Sequence, residues 1–204
     1  MMVYRKQSRC SVKAYKVDIS NACLCSLCIY ACMDPWGSFL PMLLSVAAHE
    51  LGHILLLCLF GIPIYSLRFG LGEAQLHTPP MSYSRELAVS LAGPAMNLIL
   101  FLLFAAAKPM LAFVNLILLC YNLLPFYPLD GGRILRALLR LLLPLGAADW
   151  VERICTIICA GSITLVAGYL SFSLRVGIWP LLFCGILFAG VGKTRYSDFS
   201  EINP

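Results

Sequence analysis

The stretch His49-Glu50-Leu51-Gly52-His53 lies inside an apolar run from Trp36 to Phe60. Residues four apart on a helix stand one turn apart on the same face, so both imidazoles of an H-E-x-x-H string can reach one metal ion. Glu50 sits beside them, placed to take a proton from water at that ion. The surrounding run is long enough for a helix to cross a bilayer, which takes about 20 apolar residues. Charged side chains at such depth cost roughly 2.5–3.5 kcal/mol each on insertion scales. A chain retains them there when they do chemistry or move ions.

The rest of the composition agrees. The chain has 204 residues, 60% hydrophobic and only 12% charged, with a mean hydropathy of +0.85. These values exclude an ordinary soluble domain and predict an all-α polytopic membrane protein. The length suits one bundle of about six transmembrane helices. The formal charge of +5 is no sign of nucleic acid, because the cations fall where the positive-inside rule puts them.

The spans are expected at 19–33, 36–60, 85–107, 110–125, 151–172 and 176–191. The first is short and carries Ser20, Asn21 and Ser26. It reads as an uncleaved span, since no small-residue cleavage pattern borders it. Between the second and third spans, Ile64, Ser66, Arg68 and Gly70 alternate with Tyr65, Leu67, Phe69 and Leu71. That alternation predicts a short membrane-associated β-hairpin within residues 62–78. Arg133, Arg136 and Arg140 recur at helical spacing among leucines, which predicts an amphipathic surface helix over 131–143.

Six spans put both termini on one side. Of the Lys and Arg, thirteen fall on that side and two, Lys108 and Arg175, on the other. The expectation is a multi-pass cell-membrane protein with both termini cytoplasmic. Residues 1–18 form a basic cytoplasmic segment, 19–192 the membrane domain and 193–204 a cytoplasmic tail. The ten cysteines are scattered, mostly in apolar spans where free Cys acts as a small hydrophobe. Cys25-Ser26-Leu27-Cys28 has no second C-x-x-C or His pair at zinc-finger spacing and is not expected to bind metal.

Two histidines do not complete a catalytic zinc site, which uses three protein ligands and keeps a fourth position open. Asp130 is a candidate for the third. It follows the fourth span, at the same depth as His49 and His53 under this topology. Gly131-Gly132 behind it lets another element approach closely, and Pro125 and Pro128 break the helix before it. Asp130 is also a favoured residue type for capping the helix over 131–143, and it could do both. Glu73 and His77 read as polar loop residues. Asn97 and Asn122 are amides inside spans. They either join helices or hold a substrate backbone or oxyanion.

The chain resembles the site-2 proteases, intramembrane zinc metalloproteases. The resemblance rests on His49-Glu50-Leu51-Gly52-His53, Gly93-Pro94-Ala95-Met96-Asn97 and the run from Asn122-Leu123-Leu124-Pro125 to Leu129-Asp130-Gly131-Gly132-Arg133. These occur in family order across about residues 37–140. The compact form is similar to the bacterial stage IV sporulation protein FB branch. The resemblance implies one Zn2+ per chain held by His49, His53 and Asp130, with Glu50 as catalytic base and Asn97 and Asn122 as active-site polar groups. It also implies hydrolysis of membrane-anchored protein substrates, such as transcription-factor precursors or anti-sigma factors. Two departures stand out: no PDZ domain lies between the spans, and residues 193–204 leave no room for a nucleotide-sensing CBS domain. The competing expectations are a metal transporter, which gives Glu50 no role and lacks the expected repeat, and a catalytically silent scaffold, which would not need the complete set.

Overall fold

The computed structural model describes residues 16–34, 36–70, 74–126, 129–172 and 185. Within these residues the elements run in the order β1 (Lys16–Ile19), α1 (Asn21–Met33), α2 (Phe39–Leu59), β2 (Ser66–Phe69), β3 (Ala74–His77), α3 (Tyr83–Phe104), α4 (Pro109–Asn122), α5 (Asp130–Leu142) and α6 (Leu145–Phe172). The chain divides into two compact units, Met1–Tyr121 and Asn122–Pro204.

In the first unit, the turn between α1 and α2 is built on Asp34. Its carboxylate accepts from the Phe39 N–H at 2.7 Å, the Ser38 hydroxyl at 2.7 Å and the Trp36 N–H at 3.3 Å. Desolvation opposes its charge, but these donors outweigh it and hold the carboxyl below its ordinary value. Gly37 completes the turn at φ +66°, a conformation that glycine takes without a Cβ clash.

Helix α2 buries Ser45, His49, Gly52, His53 and Leu57, a single stripe at helical spacing. Its leucines face outward, with Leu51, Leu55 and Leu59 all exposed. Helix α3 repeats this arrangement: Val89, Ser90, Gly93, Pro94 and Asn97 are buried while Leu98, Leu102 and Leu103 are exposed. Apolar outside and polar inside is the reverse of a soluble helix pair, and it suits a surround of lipid. The helices pack closely because Gly52 leaves room for the backbone of Ala92; a Cβ there would stand 2.6 Å from the Ala92 carbonyl oxygen. At one end of the pair the Arg85 guanidinium lies over the Phe60 ring, 5.8 Å from its centre.

The predicted hairpin is present as β2 and β3, antiparallel with Leu67 opposite Leu76. Leu76 packs with Ile54, Leu56 and Ile62 against the buried cluster of Leu57, Ile64 and Val89. The sheet differs from the expected hairpin in having a third strand. β1 pairs with β2 in parallel, Lys16 with Ser66 through Ile19 with Phe69. Ile19, expected to open the first span, is therefore in the sheet. Asp18 and Arg68, opposite in register, form a 3.6 Å ion pair that is largely exposed.

Among the described residues, three helices are long and apolar enough to cross a membrane: Phe39–Leu59, Tyr83–Phe104 and Gly146–Tyr169. They do not by themselves confirm the six expected. The helices α1 and α4, with 13 and 14 residues, are shorter. At 1.5 Å per residue each reaches about 20 Å, against a hydrocarbon core of about 30 Å. The expected sixth span, 176–191, falls almost wholly outside the described residues.

In the second unit, α5 forms where the arginine spacing predicts it. Arg136 reaches Glu152 of α6 with both Nε and Nη2, and Arg140 reaches Asp149 at 3.1 Å. Leu123 and Leu124 lie so close to the first turn of α5 that a Cβ on Gly131 would run into their carbonyls.

Candidate metal centre

His49 and His53 stand one turn apart on the inward face of α2, both buried. Their Nε2 atoms are 3.2 Å apart. The Nδ1 of His53 lies 2.8 Å from the Val89 carbonyl oxygen. A carbonyl only accepts, so His53 carries its proton on Nδ1 and its Nε2 presents a lone pair. That backbone oxygen lies in the α3 turn that leads to Pro94. Proline lacks an N–H, so the carbonyl of Ser90 loses its usual helical partner and the turn is loosened there. The Nδ1 of His49 faces the amide of Asn97, with Nδ2 at 3.2 Å.

Gly93 lies against both rings. A Cβ built there would collide with the Nε2 of His53 and stand 2.6 Å from the Nε2 of His49. The glycine thus keeps open the place to which both nitrogens point. A small cradle lined by two imidazole nitrogens fits a cation such as Zn2+, which takes neutral histidine readily.

Asp130 opens α5, where its charge faces the positive end of the helix dipole. It is 7% exposed. The cap position itself belongs to Leu129, which has no side chain to bond the helix N–H groups. Asp130 therefore occupies the first helical position in place of the cap. Asp130 belongs to the second unit, His49 and His53 to the first. Glu50, next to His49, is half-buried, as is Asn122 at the end of α4. Tyr127 and Pro128 lie outside the described residues.

The sequence reading passes over three groups. Ser45 is one turn before His49 on the same buried face, and its hydroxyl donates to the Pro41 carbonyl at 2.7 Å. Asn115 of α4 donates to Ser45 Oγ and to the Leu111 carbonyl, each at 2.8 Å. Ser90 stands beside Val89 on α3. All three are fully buried. Helical spacing back from His49 would have found Ser45; Asn115 has no such signal, since single amides are common in apolar helices.

An H-E-x-x-H helix packed polar-side inward against a second apolar helix defines a membrane protein with a metal-binding interior. Comparison with known proteins narrows this class. Residues 107–166, which include Asp130, match the model of Peptidase family M50. A putative zinc metalloprotease of Synechocystis is 37% identical over 123 residues, covering 51% of this chain and 32% of the relative. A zinc metalloprotease of Methanocaldococcus jannaschii is 32% identical over 117 residues, covering 50% and 34%. Stage IV sporulation protein FB of Bacillus subtilis is 33% identical over 187 residues, covering 80% of this chain and 59% of that protein. The fold is that of a site-2 protease from Methanocaldococcus jannaschii, with a TM-score of 0.62, 22% identity, and coverage of 87% of this chain and 89% of the other. The chain is thus similar to peptidase family M50 over residues 107–166 and to zinc metalloproteases over longer stretches. It spans about a third of the length of the first two relatives.

Proposed function

We propose that this chain is an intramembrane zinc metalloprotease that hydrolyses a peptide bond of a membrane-anchored protein. The observation that carries the reading is the cradle at Gly93, into which the Nε2 atoms of His49 and His53 both point. His49, His53 and Asp130 are the proposed ligands, a donor set of the type that catalytic zinc uses. Zinc in such a set acidifies water to a pKa of about 7 and polarises a carbonyl. Glu50 takes the proton of the attacking water and returns it to the leaving amine. Its place on the helix, one residue from a ligand, keeps it close to the reacting atoms without making it a ligand.

A substrate helix must unwind before its carbonyls can react. The sheet supports a way to hold the unwound strand. β1 covers one edge of β2, so among the described residues the outer edge of β3 is the hairpin edge left for an added strand. The cation count supports cytoplasmic termini, with the substrate reached from that side. Substrates of the kind released by such cleavage include transcription-factor precursors and anti-sigma factors.

Glu50→Gln tests the mechanism. The amide keeps the size of the side chain and loses the proton acceptor. The variant should retain about one zinc per chain and lose cleavage of a membrane-anchored substrate by roughly 10²–10⁴-fold. Unchanged cleavage would sink the reading. Metal flux through proteoliposomes, with no proteolysis, would favour a transporter.

A further inference from the structure

We propose that Asn97 is a positioning residue for metal binding: its amide carbonyl accepts the Nδ1–H of His49 and thereby fixes the tautomer that leaves Nε2 free for the ion. The inference rests on the zinc reading above and gives Asn97 a metal ligand as partner, where the sequence left it between a helix–helix link and a contact with substrate or oxyanion.

The argument is a proton count along the chain Asn97–His49–His53–Val89. The two Nε2 atoms are 3.2 Å apart and face each other across Gly93. Each neutral imidazole has one N–H. For both Nε2 atoms to bind one cation, both protons must sit on Nδ1. His53 meets this condition through the backbone, since its Nδ1–H ends on the Val89 carbonyl at 2.8 Å. His49 needs an acceptor of its own at Nδ1, and the group there is the Asn97 amide.

That amide can stand two ways. With Nδ2 toward His49 it donates, so the imidazole proton moves to Nε2, between the rings where the cation belongs. In that orientation Oδ1 is also buried with no hydrogen-bond partner among the described residues. Asn97 itself is fully buried. A half-turn about Cβ–Cγ exchanges oxygen and nitrogen with almost no change of shape. Oδ1 then accepts from His49 Nδ1, and the NH2 takes its former place. A hydrogen bond of this kind to the far nitrogen orients a metal-bound histidine and raises its basicity. An amide does this without adding a further buried charge.

The test uses the full-length protein in detergent, with zinc affinity measured by competition against a chelator. Asn97→Ala should weaken zinc binding by roughly 10–100-fold. Asn97→Asp, which accepts but cannot donate, should restore affinity to near the wild-type value. Equal zinc affinity for wild type and Asn97→Ala would overturn the inference. So would an Asn97→Asp protein that is folded yet binds as weakly as Asn97→Ala. Wild-type protein that takes up no zinc would overturn the metal reading itself. Should the variants fail to fold, 15N spectra of zinc-loaded wild-type protein decide the matter. A proton on Nδ1 of His49 with metal on Nε2 supports the assignment, and the reverse overturns it.

Discussion

The α2–α3 pair and the α5–α6 pair join two helices by opposite means. Between α2 and α3 the polar groups are nearly all uncharged and buried, and the outer faces are leucine. Between α5 and α6 the links are ion pairs with side chains in partial contact with solvent, Arg136 with Glu152 and Arg140 with Asp149. The first arrangement sets atoms in place for chemistry. The second fastens an amphipathic helix to its neighbour, and charge is cheap there because the groups keep part of their hydration. Substitutions in the first pair should therefore change metal binding and activity, whereas those in the second should change stability slightly.

The sharpest break is Gly93→Ala. A methyl there meets two imidazole ends, which can swing aside, so the helix survives and the cradle does not. Alanine is even the better helix former, by about 0.8–1.0 kcal/mol. Elemental analysis should find zinc lost, with unfolding of the metal-free protein no easier than in wild type. Gly52→Ala is the control within the same pair. Its methyl meets the Ala92 backbone, which cannot swing, so it should destabilise by about 1–3 kcal/mol.

Asn115→Ala removes the amide from Ser45 one turn below His49. Polar links between membrane helices contribute about 0.6 kcal/mol on average and up to about 1.7. Denaturation in mixed micelles should show a loss in that range, with zinc content kept. In the α5–α6 pair, Arg136→Ala should cost no more than about 1 kcal/mol, and added salt should shrink the difference. The smallest effect is expected at the α1–α2 turn. Asp34→Asn should lower the melting temperature slightly at neutral pH. Because the folded carboxyl titrates below its ordinary value, its contribution is complete above that value and fades as pH falls through the lower, folded one. Melting curves of wild type and variant should therefore converge in acid.

What could be read from the sequence was what repeats or clusters locally. His49 and His53 share a helix face by spacing alone. The arginines at 133, 136 and 140 mark α5, and the alternation after Ile64 marks the hairpin. What could not be read depends on partners far away in the chain. β1 is four residues at the end of a basic stretch, and only its pairing with Ser66–Phe69 makes it a strand. Asn115 looks like any amide in a span until Ser45 stands 2.8 Å away. Asp130 could be read as a cap from its residue type; the backbone gives that position to Leu129. The span count depended on helix length: α1 runs to Met33 as expected, and α4 stops at Asn122 rather than Pro125.

The pairing of β1 with β2 joins positions fifty residues apart, Lys16 to Ser66. A chain made from its N-terminus cannot form that pair until α1, α2 and the first half of the hairpin have been synthesised. Loop-closure entropy rises with the logarithm of the intervening length, so the strand gains little by waiting near its partner. Contacts this distant form late in folding. Lys16–Ile19 are thus among the last residues to settle, and their docking reports that the helix bearing both histidines is already in place.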